Sequence, residues 1–263
     1  MQNLDDAYDN GGYIEGAADY PSKWAQAAQS FREALLRDGR AELDVPYGER
    51  SRTRVDLFRP DGLSKGCLLF VHGGYWLKFD KSYWSHLAAG ANAQGWHVVM
   101  PSYDLCPEVS IATISRQIAQ AVKAVGAKVP GPLVLAGHSA GGHLVARVVC
   151  DDLLSRELKG RIKRVVPISP LSDLRPLMQT KMNVAFGLDE AAARADSPIE
   201  FPRPECHVHV WIGAEERPAF VDQASWLSKA WGCSLTLEKD KHHFNVIEGL
   251  ENGKSALTKE ILS

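Results

Sequence analysis

Residues 132–141, Pro-Leu-Val-Leu-Ala-Gly-His-Ser-Ala-Gly, decide how this sequence is interpreted. Leu133–Ala136 is an apolar run typical of a buried strand, and Leu144 and Val148 begin a pattern at helical spacing. Between them stands a G-x-S-x-G motif centred on Ser139. A serine on a sharp turn between a strand and a helix is exposed at the top of a sheet, where it can act as a nucleophile. The alternative is a glycine-rich turn that carries an ordinary serine.

Short β-rich runs recur on both sides of this stretch. They are Glu42–Val45, Arg54–Phe58, Cys67–Val71, His97–Pro101, Leu133–Ala136, Arg164–Ile168, His207–Ile212 and Ser234–Leu237. Several are apolar throughout, as expected for strands covered on both faces. A helix of roughly residues 21–37 precedes them, and helical patterns separate the later ones. Two strands followed by alternating strands and helices predict an α/β fold: about eight mostly parallel strands with an antiparallel start and helices on both faces.

We expect one domain over residues 1–263, because the sequence has no internal repeat and no linker-like stretch. An N-terminal helical segment covers about residues 1–40. Residues 171–204 interrupt the alternation, since they carry apolar residues but no strand pattern. A cap-like insertion over the C-terminal edge of the sheet fits this stretch, because sheets of this class bind ligands at that edge.

Composition and charge exclude several classes of protein. The chain has 45% hydrophobic residues and a formal net charge of −2, so neither a disordered chain nor a basic nucleic-acid-binding domain is expected. No apolar run approaches the roughly 18 residues that cross a membrane. The acidic start, residues 1–6, is unlike a signal peptide. Five cysteines without a C-x-x-C pair predict reduced thiols in a cytoplasmic protein.

A second motif, His72-Gly73-Gly74-Tyr75-Trp76, directly follows a predicted strand. The N–H groups of Gly73 and Gly74 can approach a ligand closely, because neither residue has a side chain. Together with the N–H of Ala140, after the serine, they are candidates for an oxyanion hole. We expect His72 to hold this loop rather than to act as a base. The alternative is a plain turn after a strand.

A candidate base and candidate acids follow the last strands. His243 stands after the final predicted strand and directly before a helical pattern, which favours it over His242. The chain order serine, acid, histidine fits this arrangement. Glu215 and Glu216 follow the preceding strand and compete for the role of the acid, and Asp173 is a third candidate.

The other histidines carry weaker signals. His207 and His209 are spaced to share one face of a strand, as a pair of metal ligands would be, but the sequence places no third ligand. We therefore expect no metal and no cofactor. His138 and His143 flank the serine, where packing or hydrogen bonding is the expected role.

These residues resemble the α/β-hydrolase fold over nearly the whole chain. His72–Trp76 resembles the HGGxW signature of arylformamidases (kynurenine formamidases), and the Tyr20…Trp24 segment resembles the start of that family. Tyr103–Glu108 is similar to the Y-x-L-x-P-E segment of hormone-sensitive-lipase-like esterases. The family's acid stands two residues before a proline, in a (D/E)-x-P-x-F run. Glu216–Phe220 matches this run, although the family acid is often Asp.

The resemblance implies a serine hydrolase in which Ser139, Glu216 and His243 carry catalysis. The implied substrate is a small carboxylic ester or an aryl formamide resembling N-formylkynurenine, cleaved through an acyl-enzyme on Ser139. A carboxylesterase or thioesterase acting on short-chain substrates is the alternative. A ligand-binding homologue without activity is a third hypothesis.

The resemblance also suggests which residues form the pocket and which partners to expect. Tyr75, Trp76 and Phe220 are candidate walls for an aromatic leaving group. The expected partner is a small-molecule substrate, with neither nucleic acid nor membrane. Whether the chain forms a homodimer stays open at this point.

Overall fold

The structure, a computed structural model, describes residues 3–150 and 153–263. Its strands are β1 (Ala41–Pro46), β2 (Arg54–Phe58), β3 (Cys67–Val71), β4 (His97–Pro101), β5 (Leu133–His138), β6 (Ile162–Ile168), β7 (His207–Gly213) and β8 (Ser234–Glu238). Its α-helices are α1 (Leu4–Ala7), α2 (Tyr20–Arg37), α3 (Ala89–Ala93), α4 (Ile111–Lys128), α5 (Ala140–Val148), α6 (Arg156–Arg161), α7 (Asn183–Phe186), α8 (Glu190–Ala195), α9 (Pro218–Trp231) and α10 (Ala256–Leu262).

The strands form one sheet in the order β1-β2-β4-β3-β5-β6-β7-β8. The first two pairings, β1 with β2 and β2 with β4, are antiparallel, and all the others are parallel. The predicted α/β class with an antiparallel start is therefore confirmed, and each predicted strand is present.

Both faces of the sheet are covered, which explains why its central strands are apolar throughout. In β3, Cys67, Leu69 and Val71 face one hydrophobic cluster, while Leu68 and Phe70 face the other. Helices α4, α5 and α9 contribute to the first cluster, and α2, α3 and α10 to the second. Alternate side chains of a strand point to opposite faces, so a strand between two layers must be apolar at every position.

The N-terminal segment consists of α2 and a chain of short turns before it. The helix predicted over roughly 21–37 is observed at Tyr20–Arg37, with Pro21 in its first turn and Trp24, Ala28 and Leu35 buried. Residues 3–19 contain α1 and two short 3-10 helices, Gly11–Tyr13 and Ala17–Asp19.

The stretch 171–204 contains no strand, as predicted. It consists of α7, α8 and two 3-10 helices, Arg175–Gln179 and Pro198–Glu200. Its apolar side chains Leu177 and Phe186 are buried in the first hydrophobic cluster. Within the described residues, none of the helices has the length and apolar character needed to cross a membrane.

The parallel strands bring distant parts of the chain to one edge. Strands β3, β5, β6 and β7 run in the same direction, so the residues after their last positions lie side by side. His72, Ser139 and Ser169 directly follow β3, β5 and β6. The C-terminal edge of the sheet is therefore where the predicted functional residues meet.

Candidate active site

Ser139 occupies a sharp turn between β5 and α5. Its backbone has φ 57° and ψ −118°, a strained conformation for a residue with a side chain. The backbone crowds around it: a Cβ on Gly137 would lie 2.2 Å from the Gly141 oxygen, and one on Gly141 would lie 2.0 Å from the Val71 oxygen. Only glycine fits either position. The turn is fixed further because the N–H of Ser139 donates to the Ile168 oxygen at 2.8 Å.

A buried carboxylate holds the imidazole of His243. Nδ1 of His243 lies 2.6 Å from Oε2 of Glu216, whose side chain is 0% exposed. The other carboxylate oxygen, Oε1, accepts a hydrogen bond from the N–H of Gly213 at 3.1 Å and another from the Ser169 hydroxyl. A carboxylate so placed holds the proton on Nδ1 and leaves Nε2 as the basic nitrogen.

Only Glu216, of the three candidate acids, contacts the histidine. The neighbouring Glu215 is exposed. Asp173 instead forms an ion pair with Arg175, with 2.6 Å between Oδ2 of Asp173 and Nη2 of Arg175. The structure therefore brings Glu216 and His243 together, which the sequence indicated only through the family motif.

The adjacent histidine, His242, forms its hydrogen bonds with Tyr20 and Phe244. Its Nε2 lies 3.3 Å from the hydroxyl of Tyr20, and its Nδ1 accepts a hydrogen bond from the N–H of Phe244 at 3.1 Å. The preference for His243 over His242 agrees with this arrangement.

Ser139 and His243 line the same cavity, which has a volume of about 520 Å³. Among the described residues, the Ser139 hydroxyl makes no hydrogen bond. The rings of His138 and His243 pack together at 4.7 Å, and Nε2–H of His138 donates to the His243 oxygen at 2.9 Å. His138, which precedes the serine, thus connects the serine turn to the loop that carries His243.

Gly73 borders the serine, and Gly74 lines the same cavity. A Cβ on Gly73 would lie 3.0 Å from the Cβ of Ser139, so the loop reaches the serine only because this residue is glycine. Gly74 adopts φ +111°, a conformation that favours glycine. Both glycines line the cavity, while Ala140 is buried at the first position of α5, where a backbone N–H has no partner within the helix. Of the three residues predicted to supply N–H donors, Gly73 and Gly74 thus line the cavity with Ser139, and Ala140 directly follows Ser139 in the chain.

His72 supports this glycine loop, as expected. Its Nδ1–H donates to the Gly73 oxygen at 2.7 Å, and its ring stacks on that of Tyr103 at 4.4 Å. The Tyr103 hydroxyl donates to the His72 oxygen at 2.9 Å. Burial lowers the pKa of His72 to about 4, so the ring is neutral at ordinary pH.

Two of the three predicted pocket walls lie elsewhere. Tyr75 lines the cavity, but Trp76 and Phe220 are both 0% exposed and are not among its lining residues. The ring of Trp76 packs edge-on against His143 and Phe186, because the loop turns it into the core. Phe220 lies on the buried face of α9 with its ring 4.4 Å from that of His243. Phe220 therefore packs against His243 and does not line the cavity.

The N-terminal segment supplies nine of the twenty residues that line the cavity. The residues of this segment that line it are Asp5, Tyr8, Asp9, Asn10, Gly11, Ala17, Ala18, Pro21 and Trp24. From the stretch 171–204, only Met182 lines it. The expectation that 171–204 caps the site therefore needs correction, since most of the covering chain lies about 170 residues earlier in the sequence.

Sequence reasoning missed Ser169 and Asn10. Ser169 donates its hydroxyl to Glu216, and its place directly after β6 was an available signal. Asn10 lies in a polar, mixed stretch, where no local pattern indicates that it is buried against the cavity.

A separate cluster joins the two weaker histidine candidates to a carboxylate. Nδ1 of His209 lies 3.0 Å and Nε2 of His207 lies 3.5 Å from Oε1 of Glu260, so Glu260 is the third group that the sequence did not place. The guanidinium of Arg164 contacts the same oxygen. A cation would have to compete with Arg164 there. The cluster is an ion pair of Arg164 with Glu260 that has two histidines beside it, at the start of β7 and opposite the edge that carries Ser139.

Comparison with known proteins agrees with this geometry. A family model described as the alpha/beta hydrolase fold matches residues 68–199. The chain belongs to the α/β-hydrolase family. The match includes the glycine loop and the serine turn, and it ends before the Glu216–His243 pair.

The curated relatives of this α/β hydrolase include kynurenine formamidases. The kynurenine formamidase of Salmo salar is 30% identical over 237 residues, which cover 84% of this chain and 80% of the relative. That of Danio rerio is 29% identical with the same coverage. The chain is thus a hydrolase that resembles the arylformamidases, as the sequence predicted.

The chain is also similar in fold to solved structures of other proteins. A structure from Silicibacter sp. TM1040, described as that of "a putative thioesterase", is 55% identical with a TM-score of 0.97, and the match covers 100% of both chains. An esterase from Pyrobaculum calidifontis shares the fold at 21% identity and a TM-score of 0.68, covering 93% of this hydrolase and 92% of that chain.

Proposed function

We propose that this α/β hydrolase cleaves an aryl formamide resembling N-formylkynurenine through an acyl-enzyme on Ser139. The observation that carries the proposal is the buried His243–Glu216 pair, 2.6 Å apart, beside a serine that lines the same cavity. The likeness to kynurenine formamidases supports the choice of substrate class.

The proposed reaction has two steps. His243 Nε2 takes the proton of the Ser139 hydroxyl as the oxygen attacks the formyl carbon, and the N–H groups of Gly73, Gly74 and Ala140 stabilise the oxyanion. The C–N bond then breaks, and His243 gives its proton to the leaving amine. In the second step, water loses a proton to His243 and attacks the formyl-enzyme, which releases formate and restores Ser139. The hydrogen bond between Ser139 and His243 forms in the substrate complex, since such contacts are often long in free enzymes.

The shape of the cavity fits a small acyl group with a larger aromatic leaving group. Gly73 and Ser139 leave little room beside the nucleophile, as a Cβ on Gly73 would already contact the Ser139 side chain. Farther out, the lining is rich in aromatic rings, namely Tyr8, Trp24, Tyr75, Phe79, Trp84 and Phe244. Flat apolar walls of this kind favour an aromatic group through burial and ring stacking.

A carboxylesterase or thioesterase is the second candidate function. The description of the 55%-identical Silicibacter structure favours it, and the same residues can open an ester or a thioester. The two candidates differ in the leaving group: aniline nitrogen must be protonated as it leaves, whereas a thiolate or phenolate leaves more readily.

A substrate panel separates the candidates. N-formylkynurenine, formanilide, short nitrophenyl esters and an acyl thioester are offered to the wild type and to Ser139→Ala. We expect the highest kcat/KM for the aryl formamides and a loss of roughly a thousandfold or more in the variant. An ester or thioester preferred over every formamide contradicts the substrate, and a Ser139→Ala variant that keeps most of its activity contradicts the acyl-enzyme. Labelling of Ser139 by a fluorophosphonate checks the nucleophile independently.

We also propose that the protein works in the reducing environment of the cytoplasm. All five cysteines are free thiols, and Cys67, Cys106 and Cys150 are buried. Burial raises the pKa of Cys106 to about 11, which keeps its thiol protonated and unreactive. Fractionation followed by detection of the protein tests the location.

A further inference from the structure

Arg52, in the turn before β2, donates hydrogen bonds to two of the loops that build the site. Its Nε donates to the Tyr103 oxygen at 2.7 Å, and its Nη2 donates to the Phe79 oxygen at 2.5 Å. Because β2 runs antiparallel to β4, the turn before β2 lies at the edge of the sheet where β4 ends. One guanidinium, with its donors in a fixed planar fork, thus connects the loop after β4 to the loop after β3.

The hydrogen bond to Tyr103 connects Arg52 to Gly73. The buried Tyr103 ring stacks on the ring of His72 at 4.4 Å, and the Tyr103 hydroxyl donates to the His72 oxygen at 2.9 Å. His72 in turn donates from Nδ1 to the Gly73 oxygen at 2.7 Å. The planar peptide that carries the Gly73 oxygen also carries the N–H of Gly74, so holding this oxygen fixes the direction of that N–H.

The hydrogen bond to Phe79 connects Arg52 to Gly74. The N–H groups of Leu77 and Lys78 donate to the Gly74 oxygen at 3.0 and 3.2 Å, which folds the loop back on itself. A Cβ on Gly74 would lie 2.5 Å from the Lys78 oxygen and 2.9 Å from Cδ2 of Phe79. The carbonyl that Arg52 holds therefore belongs to the segment that packs directly against Gly74.

The loop depends on such contacts because its backbone is strained. Tyr75, Trp76 and Phe79 have φ values of 54°, 57° and 71°, which residues with a side chain rarely adopt. Conformations of this kind persist only where the surrounding structure holds them. The two hydrogen bonds from Arg52 hold the loop from outside the cavity.

We propose that Arg52 is a positioning residue, whose guanidinium holds the loop of residues 72–79 where the N–H groups of Gly73 and Gly74 can bind an oxyanion. The proposal rests on the proposed function insofar as these two groups stabilise the oxyanion of the reaction. Neither N–H donates to an atom of the described residues, so both are available. Such donors act only when they are correctly placed before the reaction, and a misplacement of about 1 Å can cost about a hundredfold in rate.

Arg52→Ala and Arg52→Lys test the proposal, and Arg161→Ala is the matched control. Arg161 is half-buried like Arg52 and also donates to backbone oxygens, but those of residues 126–131, before β5 and at the opposite edge of the sheet from Ser139. Lysine at position 52 keeps the positive charge but lacks the fork that places two donors on two carbonyls. Melting temperatures show whether each variant is folded.

The rate at which a fluorophosphonate labels Ser139 is the first measurement. The phosphonyl oxygen needs the same donors as the oxyanion, and no natural substrate has to be known. The end point of labelling counts the active molecules. Per active molecule, we expect the rate constant to fall about 10- to 100-fold in Arg52→Ala, to recover only in part in Arg52→Lys and to stay within about twofold of the wild type in Arg161→Ala.

Two reversible inhibitors separate positioning from a general loss of structure. A trifluoromethyl ketone adds to Ser139 and forms an oxyanion, whereas aniline occupies the cavity without forming one. We expect the Ki of the ketone to rise in Arg52→Ala by about the factor by which labelling slows, and the Ki of aniline to change less than about twofold.

The outcomes distinguish this inference from the proposed function. Equal labelling rates in Arg52→Ala and Arg161→Ala, full recovery in Arg52→Lys, or Ki values of the ketone and aniline that rise together overturn the inference. If Arg52→Ala does not fold, a wild-type rate in Arg52→Lys overturns it alone. A wild type that is labelled but does not hydrolyse formamides contradicts the proposed substrate and leaves the test of Arg52 intact. A wild type that is not labelled contradicts both.

Discussion

The carboxylate of Glu216 shows how a buried charge is made compatible with a fold. Removing a carboxylate from water is costly unless hydrogen-bond donors replace the water. Here the Gly213 N–H, the Ser169 hydroxyl and Nδ1–H of His243 all point to it. These three donors replace the water that the Glu216 side chain loses on burial, and they hold it where it can orient the imidazole of His243.

Replacing Glu216 with Gln should therefore remove most of the activity. Glutamine has the same shape as glutamate, but its amide carries no charge to stabilise the imidazolium. Its NH₂ group would also face hydrogen-bond donors that now point at a carboxylate oxygen. We expect kcat to fall roughly 10³- to 10⁴-fold, as for the loss of the acid in other such sites, with a smaller change in KM. Steady-state kinetics on the best substrate of the panel measure this.

The neighbouring Glu215→Gln provides the control, since that side chain is exposed. It removes the same charge one residue away. Similar losses in the two variants would indicate a general charge effect and contradict the specific role of Glu216.

At the scale of elements, the serine turn depends on backbones that nearly touch. Strand β5, helix α5 and the loop after β3 converge at Gly137 and Gly141, where added Cβ atoms would meet backbone oxygens at 2.2 and 2.0 Å. Backbone atoms cannot move aside as the end of a flexible side chain can. The turn therefore holds Ser139 in place only with glycine on both sides.

Gly137→Ala should consequently destabilise the protein and abolish activity. The clash with the Gly141 oxygen forces β5 and α5 apart, and we expect a loss of several kcal/mol in the free energy of unfolding, in the range of overpacked sites or above it. Urea unfolding and kcat/KM measure the two effects.

Gly160→Ala is the matched control. Gly160 lies in α6, and a Cβ there would meet no atom within 4 Å. The same substitution should raise the free energy of unfolding by about 0.4–1 kcal/mol and leave activity unchanged. Equal effects of the two substitutions would contradict the packing argument.

The elements that local patterns specify were predictable, and the contacts between them were less so. The G-x-S-x-G turn, the glycine loop and the strands follow from spacing and apolar runs within a few residues. Trp76 stands beside Tyr75 in the same motif, yet only Tyr75 lines the cavity, because the backbone of the loop directs the two rings differently. Such a direction depends on φ and ψ values that the residue types alone do not fix.

At the scale of the whole molecule, the sequence did not predict which segment of the chain lines the outer part of the cavity. The N-terminal stretch of residues 3–19 reaches the site through contacts such as that of Tyr8 with Gln223, which are 215 residues apart in the sequence. Its composition is polar and mixed, so neither periodicity nor a motif distinguishes it from a solvated terminus. The order of the strands was likewise beyond the sequence pattern, since β4 lies between β2 and β3 and the chain must cross over to place it there.

Buried histidines should make the stability of the whole fold depend on pH. Burial lowers the pKa of His72 and of His143 to about 4, and it lowers that of His138 well below its usual value, with a further contribution from the neighbouring His243. These rings stay neutral in the folded chain when they would be protonated in the unfolded chain. Below about pH 6.5, the unfolded state therefore binds more protons, and stability falls as the pH falls.

We expect the free energy of unfolding to decrease between pH 7.5 and pH 5 by roughly 1–2 kcal/mol for each of these rings. Urea unfolding at several pH values measures the decrease. His143→Gln should reduce it by about the share of one ring, because glutamine does not titrate. His207→Gln should reduce it less, since the His207 side chain is 46% exposed and its pKa differs less between the two states. A free energy of unfolding that stays level or rises from pH 7.5 to pH 5 would contradict the prediction, since it would mean that these rings take up protons within the folded chain as readily as in the unfolded chain.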